Sequence, residues 1–181
     1  MRLYYDLASP YAYLAVSRAA ELLHEPPELE PVLLGAIFGY RGHGSWAHTD
    51  RRAAGEQEIE RRARAYGLPP VKWPEGWPLN SLAAMRAATY AKREGLQTEF
   101  VQAVYEREFA RGEDISGIEA LAAIADSVGL KHVEAAVADP AIKQALKEAT
   151  DNAWAAGVQG VPTLQSGGRM LFGDDRLEEA V

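Results

Sequence analysis

The first third of the chain alternates between short apolar runs and polar turns, and this pattern predicts a strand–helix–strand unit. Residues 3–7, Leu-Tyr-Tyr-Asp-Leu, are rich in aromatic side chains and favour a short buried strand. Ser9 and Pro10 suit the N-cap and the first position of a helix that we predict to run to about His24. Residues 31–34 predict a second strand, parallel to the first.

Helical periodicity dominates the middle of the chain, after a glycine-rich loop that we predict over residues 35–50. Apolar side chains recur at helical spacing in four segments, which predicts four helices. The predicted helices cover residues 50–66, 80–93, 98–110 and 116–128, and the proline-rich residues 70–79 form an extended loop between the first two. Three of these helices begin at favourable capping residues: Thr49 or Asp50, Asn80, and a capping box of Ser116 with Glu119.

The last third of the chain changes from a helical to an alternating pattern. Asp139, followed by a proline, opens a predicted helix that ends at Gly157. Residues 163–166 and 169–172 predict two strands, joined by a glycine pair that suits a hairpin turn. Asp174 is predicted to begin a short final helix.

The order of these elements predicts an α/β fold in which one mixed sheet is interrupted by helices. A βαβ half and a ββα half together supply the strands, and several helices lie between them in the chain. We predict that residues 1–45 and 139–181 form the sheet-containing domain. Residues 46–138 would then form an inserted all-helical subdomain.

Composition excludes several kinds of chemistry. The chain has 181 residues, a formal net charge of −7 and no cysteine. The negative charge argues against a nucleic-acid partner, although a cleft can still attract a small anion. Without cysteine there is no disulfide, no thiolate metal ligand and no cysteine nucleophile. The four histidines are not spaced as a helical metal pair, so we expect no metal site.

The chain also shows no sign of a membrane or export segment. No apolar run approaches the ~20 residues needed to span a bilayer. The N-terminal residues contain no long apolar stretch before a small-residue cleavage site. We therefore expect a cytoplasmic protein without a membrane partner. The sequence does not determine the oligomeric state, so a homodimer stays open.

Two short segments carry candidate chemistry. At the first strand-to-helix junction, Ser9, Pro10 and Tyr11 would present the free N–H groups and positive end of a helix, which stabilise an anion such as a thiolate. Before a predicted strand, Val161 and Pro162 suit a cis-proline turn, which exposes main-chain groups for pairing with an extended peptide. Taken alone, the first segment is more simply an N-cap, and the second is equally an ordinary loop.

Together, and in this order, the segments resemble the thioredoxin superfamily, in the branch shared by DsbA-like proteins, kappa-class glutathione transferases and 2-hydroxychromene-2-carboxylate isomerases. The resemblance covers nearly the whole chain and is carried by residues 5–14 (YDLASPYAYL), 34–38 (LGAIF), 77–82 (WPLNSL), 84–86 (AMR), 157–164 (GVQGVPTL) and 172–177 (FGDDRL). It implies a thioredoxin-like fold with an inserted all-helical subdomain. DsbA-like oxidoreductases carry a Cys-x-x-Cys pair where this chain has Ser9 and Ala12, so that pair cannot exchange disulfides.

The resemblance to the isomerases implies a glutathione site. Ser9 would hydrogen-bond the glutathione sulfur and favour its thiolate, with Pro10 and Tyr11 beside it. The backbone of Val161, before a cis Pro162, would pair with the cysteinyl part of the tripeptide.

The same resemblance implies partners for the far end of glutathione and for the substrate. Asp174 and Asp175 would hold the γ-glutamyl ammonium group, and Asn80 would lie near both glutathione and substrate. The isomerases commonly carry a lysine that meets the substrate carboxylate where this chain has Gly39. Arg41 could supply that charge from a neighbouring position, as a substrate-binding residue.

Several other side chains allow a functional and a purely structural interpretation. Trp77 and Trp73 either wall a hydrophobic substrate pocket or pack in the core beside the proline-rich loop. Arg86 is more simply a solvated or salt-bridged arginine. A catalytic role for His43 or His48 is the less favoured interpretation of these loop histidines.

These features predict a glutathione-dependent cis–trans isomerase that acts on small aromatic carboxylates, namely aromatic pyruvates or chromenes, in the breakdown of naphthalene-like compounds. Two alternatives stay open. A kappa-type glutathione transferase would use the same thiolate but release the adduct. A redox-inert thioredoxin-fold protein would instead bind peptides or partners at the edge formed by Val161 and Pro162. The sequence does not identify the physiological substrate or the pathway.

Overall fold

A mixed four-stranded sheet forms the centre of the fold in the computed structural model, which describes residues 1–181. The strands are β1 (Arg2–Tyr5), β2 (Glu28–Pro31), β3 (Thr163–Ser166) and β4 (Arg169–Phe172), in the spatial order β2-β1-β3-β4. β1 runs parallel to β2 and antiparallel to β3, and β3 pairs with β4 as an antiparallel hairpin. The predicted mixed sheet, parallel βαβ pair and hairpin are confirmed.

Helices make up most of the rest of the chain. They are α1 (Pro10–Leu22), α2 (Leu34–Arg41), α3 (Arg52–Ala65), α4 (Leu82–Arg93), α5 (Gln97–Tyr105), α6 (Ile118–Ser127), α7 (Val133–Ala138) and α8 (Pro140–Ala155). A π-helical turn, Glu106–Ala110, continues α5, and short 3₁₀ helices span Trp46–His48 and Asp174–Ala180. One buried core joins the sheet to the helices, with Leu3, Leu14, Met85 and Phe100 in the same cluster. None of the helices combines the length and apolar character that crossing a bilayer requires.

Local signals explain where two helices and the hairpin turn form. Ser9 Oγ accepts a backbone N–H of the first turn of α1 at 3.2 Å, and Asp139 Oδ1 does the same for α8 at 2.8 Å. Each cap is followed by a proline at the first helical position, as predicted. Gly167 and Gly168 adopt φ values of 54° and 80°, the left-handed pair that a two-residue hairpin turn favours.

The predictions of a strand at residues 31–34 and of a loop at residues 35–50 are wrong. β2 lies earlier, and its Glu-Leu-Glu-Pro sequence places charge and proline on an edge of the sheet, as edge strands do. At Leu34 the backbone N–H donates to the carboxylate of Asp6 at 2.8 Å, and α2 begins there. The capping group lies 28 residues away, so no local pattern indicates it. The two glycines of α2 disfavour a helix and led to the loop prediction.

Other helix ends also differ from the prediction. The capping box of Ser116 and Glu119 does not form, because the N–H of Ser116 donates to Asp114 at 2.8 Å and Gly117 takes the N-cap position. The predicted helix over residues 98–110 is α5 followed by the π-helical turn. α7 was not predicted, and α3 begins just after the expected capping residues.

The π-helical turn places a carboxyl group inside the core. Glu108 is fully buried, and neither of its carboxyl oxygens has a hydrogen-bond partner. Burial raises the pKa of Glu108 well above its ordinary value, and the carboxylates of Asp6 and Asp114 act in the same direction. An ionised carboxylate without a partner is strongly unfavourable in such a place, so the fold favours the protonated form.

We expect Glu108→Gln to stabilise the protein increasingly as the pH rises. The folded pKa of Glu108 lies above its unfolded value of about 4.5, so between these two values the folded state binds more protons than the unfolded state. The free energy of unfolding therefore falls as the pH rises through this window, and glutamine removes that loss. Urea unfolding from about pH 5 to about pH 8 would measure it.

Glu99→Gln is the matched control, because Glu99 is an exposed carboxyl on the neighbouring helix α5. It should leave the pH dependence of stability unchanged. Parallel stability curves for the wild type and Glu108→Gln would show that Glu108 does not titrate differently in the folded state.

Candidate active site

A cleft of about 550 Å³ opens beside the C-terminal end of β1. Four segments form its walls: the β1–α1 loop, α2 with the 3₁₀ helix after it, residues 77–81, and the loop before β3. Phe172, at the end of β4, is exposed and closes one side. The lining residues are Asp6, Ala8, Ser9, Pro10, Tyr11, Leu34, Gly35, Phe38, Arg41, Gly44, Ser45, Trp46, His48, Trp77, Pro78, Leu79, Asn80, Ser81, Gly160, Val161 and Phe172.

The structure brings the predicted site residues together. Those that line the main cleft are Ser9, Pro10, Tyr11, Arg41, Asn80, Trp77 and Val161. The remaining three, Pro162, Asp174 and Asp175, line a smaller cleft of about 320 Å³. Tyr11, Val161 and Phe172 belong to both clefts, so the two form one continuous surface.

The hydroxyl group of Ser9 can cap the helix and bind a ligand at the same time. Its oxygen accepts the N–H of Ala12, and its hydrogen has no acceptor in the protein. A serine hydroxyl offers one donor and two acceptor lone pairs, so the two roles do not compete. The backbone N–H of Tyr11, in the first turn of α1, also lacks a partner. Two donors at the positive end of a helix therefore suit an anion.

Val161 presents unpaired main-chain groups to the same cleft. The Val161–Pro162 peptide bond is cis, as predicted. Neither the N–H nor the C=O of Val161 makes a hydrogen bond, although its neighbours do. The C=O of Gly160 accepts the Thr163 hydroxyl at 2.7 Å, and the C=O of Pro162 accepts the N–H of Gly173 at 3.0 Å. The unpaired N–H and C=O of Val161 can therefore form hydrogen bonds with the main chain of an extended peptide.

The two aspartates of the smaller cleft differ in accessibility. The carboxylate of Asp174 is buried, and its oxygens accept hydrogen bonds from Arg62 and from the Tyr66 hydroxyl, each at 2.9 Å. The carboxylate of Asp175 is 56% exposed and contacts only Arg62, at 3.3 Å. Asp175 is therefore the one that can take a ligand cation, while Asp174 orients Arg62. Gly173 has a φ of 118°, and a Cβ there would lie 2.5 Å from Asp175 Oδ1.

Two charged residues at the clefts were not predicted as site residues. Arg62, from α3, lies in the smaller cleft beside Asp175. The alternation of arginine and glutamate along α3 resembles an ordinary solvated helix and gave no signal for it. Asp6 lies buried in the main cleft, where its carboxylate accepts hydrogen bonds from Ala8, Leu34 and Ser81. Only its place beside the Ser-Pro segment could have indicated it.

A cluster of three tryptophan rings, packed at tilted angles, lies at the apolar wall of the main cleft. The ring of Trp77 lies 5.6 Å from that of Trp46 and 4.5 Å from that of Trp73. Trp73 does not line the cleft and donates its indole N–H to Glu60 at 2.9 Å, so it supports the wall from behind. A Cβ at Gly55 would lie 2.3 Å from the Trp46 ring, so a larger residue at this position of α3 would displace that ring.

Arg41 is the only arginine or lysine that lines the main cleft. It is exposed, and Nη1 donates to the C=O of Gln159 at 2.7 Å while its other N–H groups make no hydrogen bond. An arginine carries five donors, so it can bind a carboxylate without releasing Gln159. His48 also lines the cleft, whereas His43 and Arg86 lie outside it.

Known proteins share this chain's sequence features over nearly its whole length. A family model for the DSBA-like thioredoxin domain matches residues 1–181. Glutathione S-transferase kappa 1 from Homo sapiens is 26% identical over 197 residues, which cover 98% of this chain and 87% of that protein. The 2-hydroxychromene-2-carboxylate isomerase from Sphingobium xenophagum is 25% identical over 191 residues, covering 97% of this chain and 92% of that protein.

Solved structures share the fold. A 2-hydroxychromene-2-carboxylate isomerase superposes with a TM-score of 0.83 at 24% identity, over 97% of this chain and 89% of that chain. The cytosolic disulfide reductase DsbM from Pseudomonas aeruginosa, solved with GSH, superposes with a TM-score of 0.63 at 17% identity, over 93% and 86%. The predicted α/β fold of the thioredoxin-like, DsbA-like type is confirmed.

Proposed function

The chain belongs to the DsbA-like thioredoxin domain family, and on that basis we propose that it is a glutathione-dependent cis–trans isomerase of the 2-hydroxychromene-2-carboxylate isomerase type. One observation carries the proposal. The unpaired main-chain groups of Val161 and the free hydroxyl hydrogen of Ser9 line the same cleft. A cysteinyl peptide needs both kinds of group at once, one for its backbone and one for its sulfur.

The residues of the two clefts fit glutathione along its length. The N–H and C=O of Val161 would pair with the cysteinyl main chain. The Ser9 hydroxyl and the Tyr11 N–H would donate to the sulfur and favour its thiolate form. In the smaller cleft, Asp175 would meet the γ-glutamyl ammonium group and Arg62 the carboxylate beside it.

The rest of the main cleft fits an aromatic carboxylate. Trp46, Phe38 and Phe172 supply aromatic surface for a ring, and Arg41 supplies the charge for a carboxylate. Asn80 accepts the N–H of Leu82 through its side-chain oxygen at 3.0 Å, which leaves its NH₂ group free to donate to a ligand.

Glutathione, when bound, would supply a thiolate that adds to the conjugated double bond of the substrate and leaves again, so that rotation occurs while the bond is single. The protein would contribute alignment and charge. Ser9 would hold the sulfur in place, and Arg41 would fix the carboxylate end of the substrate. Both partners would then be held in the geometry of reaction, which is a large part of the rate acceleration available to an enzyme.

A glutathione transferase of the kappa type is the second candidate. It is supported by the similarity to glutathione S-transferase kappa 1, which is 26% identical to this chain, against 25% for the isomerase. The same thiolate would serve, but the adduct would leave the cleft. The third reading, a redox-inert peptide-binding protein, rests on the missing cysteine pair and needs no glutathione.

We expect the protein to bind glutathione and to convert 2-hydroxychromene-2-carboxylate to its trans ring-opened isomer without consuming thiol. Calorimetry would measure the binding, chromatography the product, and a thiol reagent the glutathione that remains. Loss of thiol in step with substrate would assign the protein to the transferases. If calorimetry detects no binding of glutathione, the interpretation as a redox-inert peptide-binding protein would remain.

We expect Ser9→Ala to raise the pKa of the bound glutathione thiol by about one to two units, because one hydrogen bond to an anion is lost. Thiolate absorbance in the ultraviolet, followed against pH, would measure the change. The variant also loses a helix cap, so Asp139→Ala is the matched control: it removes the equivalent cap of α8 far from the cleft. The control should lower stability comparably, by roughly 0.5–2 kcal/mol, and leave the thiol pKa unchanged. An unchanged thiol pKa in Ser9→Ala would show that Ser9 acts only as a helix cap.

We expect substitution of Asp175 to weaken glutathione binding and substitution of Asp174 to lower the stability of the protein. Asp175→Asn should weaken glutathione binding about two- to fivefold, since an exposed charge partner is lost, and should leave the melting temperature nearly unchanged. Asp174→Asn should lower stability by about 1–3 kcal/mol, because the amide cannot accept from both Arg62 and Tyr66. Calorimetry and thermal unfolding on both variants would measure these effects. Equal glutathione affinity in Asp175→Asn would remove that residue from the site.

A further inference from the structure

Asp6 joins three of the four walls of the main cleft through one buried carboxylate. Its side chain is 1% exposed and accepts three hydrogen bonds, each 2.8 Å long. The donors are the N–H of Ala8, the N–H of Leu34 and the hydroxyl of Ser81. They belong to the β1–α1 loop, to α2 and to residues 77–81.

The contact with Leu34 fixes the start of α2. Leu33, the N-cap residue of this helix, provides no side-chain cap, and its own N–H donates to Thr150 Oγ1 at 3.0 Å. Asp6 Oδ2 takes the place of a cap by accepting the first N–H of the helix. Since α2 carries Phe38 and Arg41, Asp6 also determines where these two side chains enter the cleft.

The second contact is with Ser81, whose hydroxyl bonds to Asp6 and does not cap its own helix. Ser81 occupies the N-cap position of α4, yet it makes no cap hydrogen bond. Its hydroxyl donates to Asp6 Oδ1 instead, and Asn80 accepts the N–H of Leu82. Helix α4 therefore gains no cap from the Ser81 hydroxyl, and this hydrogen bond instead links Asp6 to the segment that carries Trp77 and Asn80.

The third contact fixes the loop that carries Ser9. Asp6 Oδ1 accepts the N–H of Ala8, and the backbone C=O of Asp6 accepts the N–H of Ser9 at 3.0 Å and the Tyr105 hydroxyl at 3.0 Å. Side chain and main chain of one residue thus hold the Ser9 loop from two sides. The direction of the Ser9 hydroxyl depends on this loop.

Burial raises the pKa of Asp6, although its three hydrogen bonds oppose the change. A carboxylate in this place depends on these three hydrogen bonds to offset the cost of its burial.

We propose that Asp6 is a positioning residue for the reaction, which holds the Ser9 loop, α2 and residues 77–81 in one geometry around the thiolate and the substrate. Its kinetic consequences rest on the proposed function, whereas its effect on the cleft does not. Asp6 makes no hydrogen bond to Val161. We therefore expect Asp6 to affect the alignment of the sulfur and the substrate rather than the binding of the glutathione main chain.

Asp6→Asn tests the proposal with almost no change of volume. The amide oxygen can still accept two hydrogen bonds, but the NH₂ group is itself a donor and accepts none. The N–H of Leu34 or another of the three donors therefore loses its partner. We expect kcat/KM to fall at least about tenfold, since one charge-assisted hydrogen bond accounts for that factor, and the glutathione Kd to stay within about threefold. We also expect the Leu34 amide to exchange its hydrogen at least about tenfold faster.

Glu108→Gln is the matched control, because it also removes a buried carboxyl group but lies outside the cleft lining. It should change neither kcat/KM nor the exchange of Leu34. Ser81→Ala removes only one of the three contacts and should lower kcat/KM by a smaller factor, which keeps the proposal testable if Asp6→Asn folds poorly.

Unchanged exchange at Leu34 together with unchanged kcat/KM in Asp6→Asn would overturn the proposal. The proposal would also be overturned if the activity lost in Asp6→Asn equalled the fraction of the protein that thermal unfolding shows to be unfolded. A wild type that binds no glutathione would instead refute the proposed function, and the exchange measurement would still decide the role of Asp6.

Discussion

Main-chain polar groups inside a protein must find hydrogen-bond partners, and this chain leaves a few of them unpaired at one cleft. The N–H and C=O of Val161 lie where the chain turns into β3, and the N–H of Tyr11 lies where α1 begins. The sheet order brings these two points together, because β1 and β3 are neighbours. A ligand with its own peptide groups and an anionic sulfur satisfies all of them at once.

Asp6 and Glu108 are both buried carboxyl groups, and they differ in how they are accommodated. Asp6 has three donors around it and connects three segments of the cleft. Glu108 has none and is favoured in its protonated form. Burial disfavours the charged form of both groups and raises the pKa of each. We therefore assign the organisation of the cleft to the hydrogen bonds of Asp6, and to Glu108 an effect on the pH dependence of stability.

The features that could be predicted from the sequence are those with local causes. The Ser-Pro and Asp-Pro helix starts and the Gly-Gly hairpin each depend on neighbouring residues, and each was predicted correctly. The start of α2 was not, because its cap comes from Asp6, far away in the chain. Arg62 was missed for the same reason: its partners, Asp174 and Asp175, come from the other end of the chain.

A crystal structure of the protein soaked with glutathione tests the central claim most directly. The account predicts that the glutathione sulfur lies within hydrogen-bond distance of Ser9 Oγ and that the cysteinyl N–H and C=O pair with Val161. Electron density for the sulfur at another place in the cleft, with the main-chain groups of Val161 still unpaired, would contradict it.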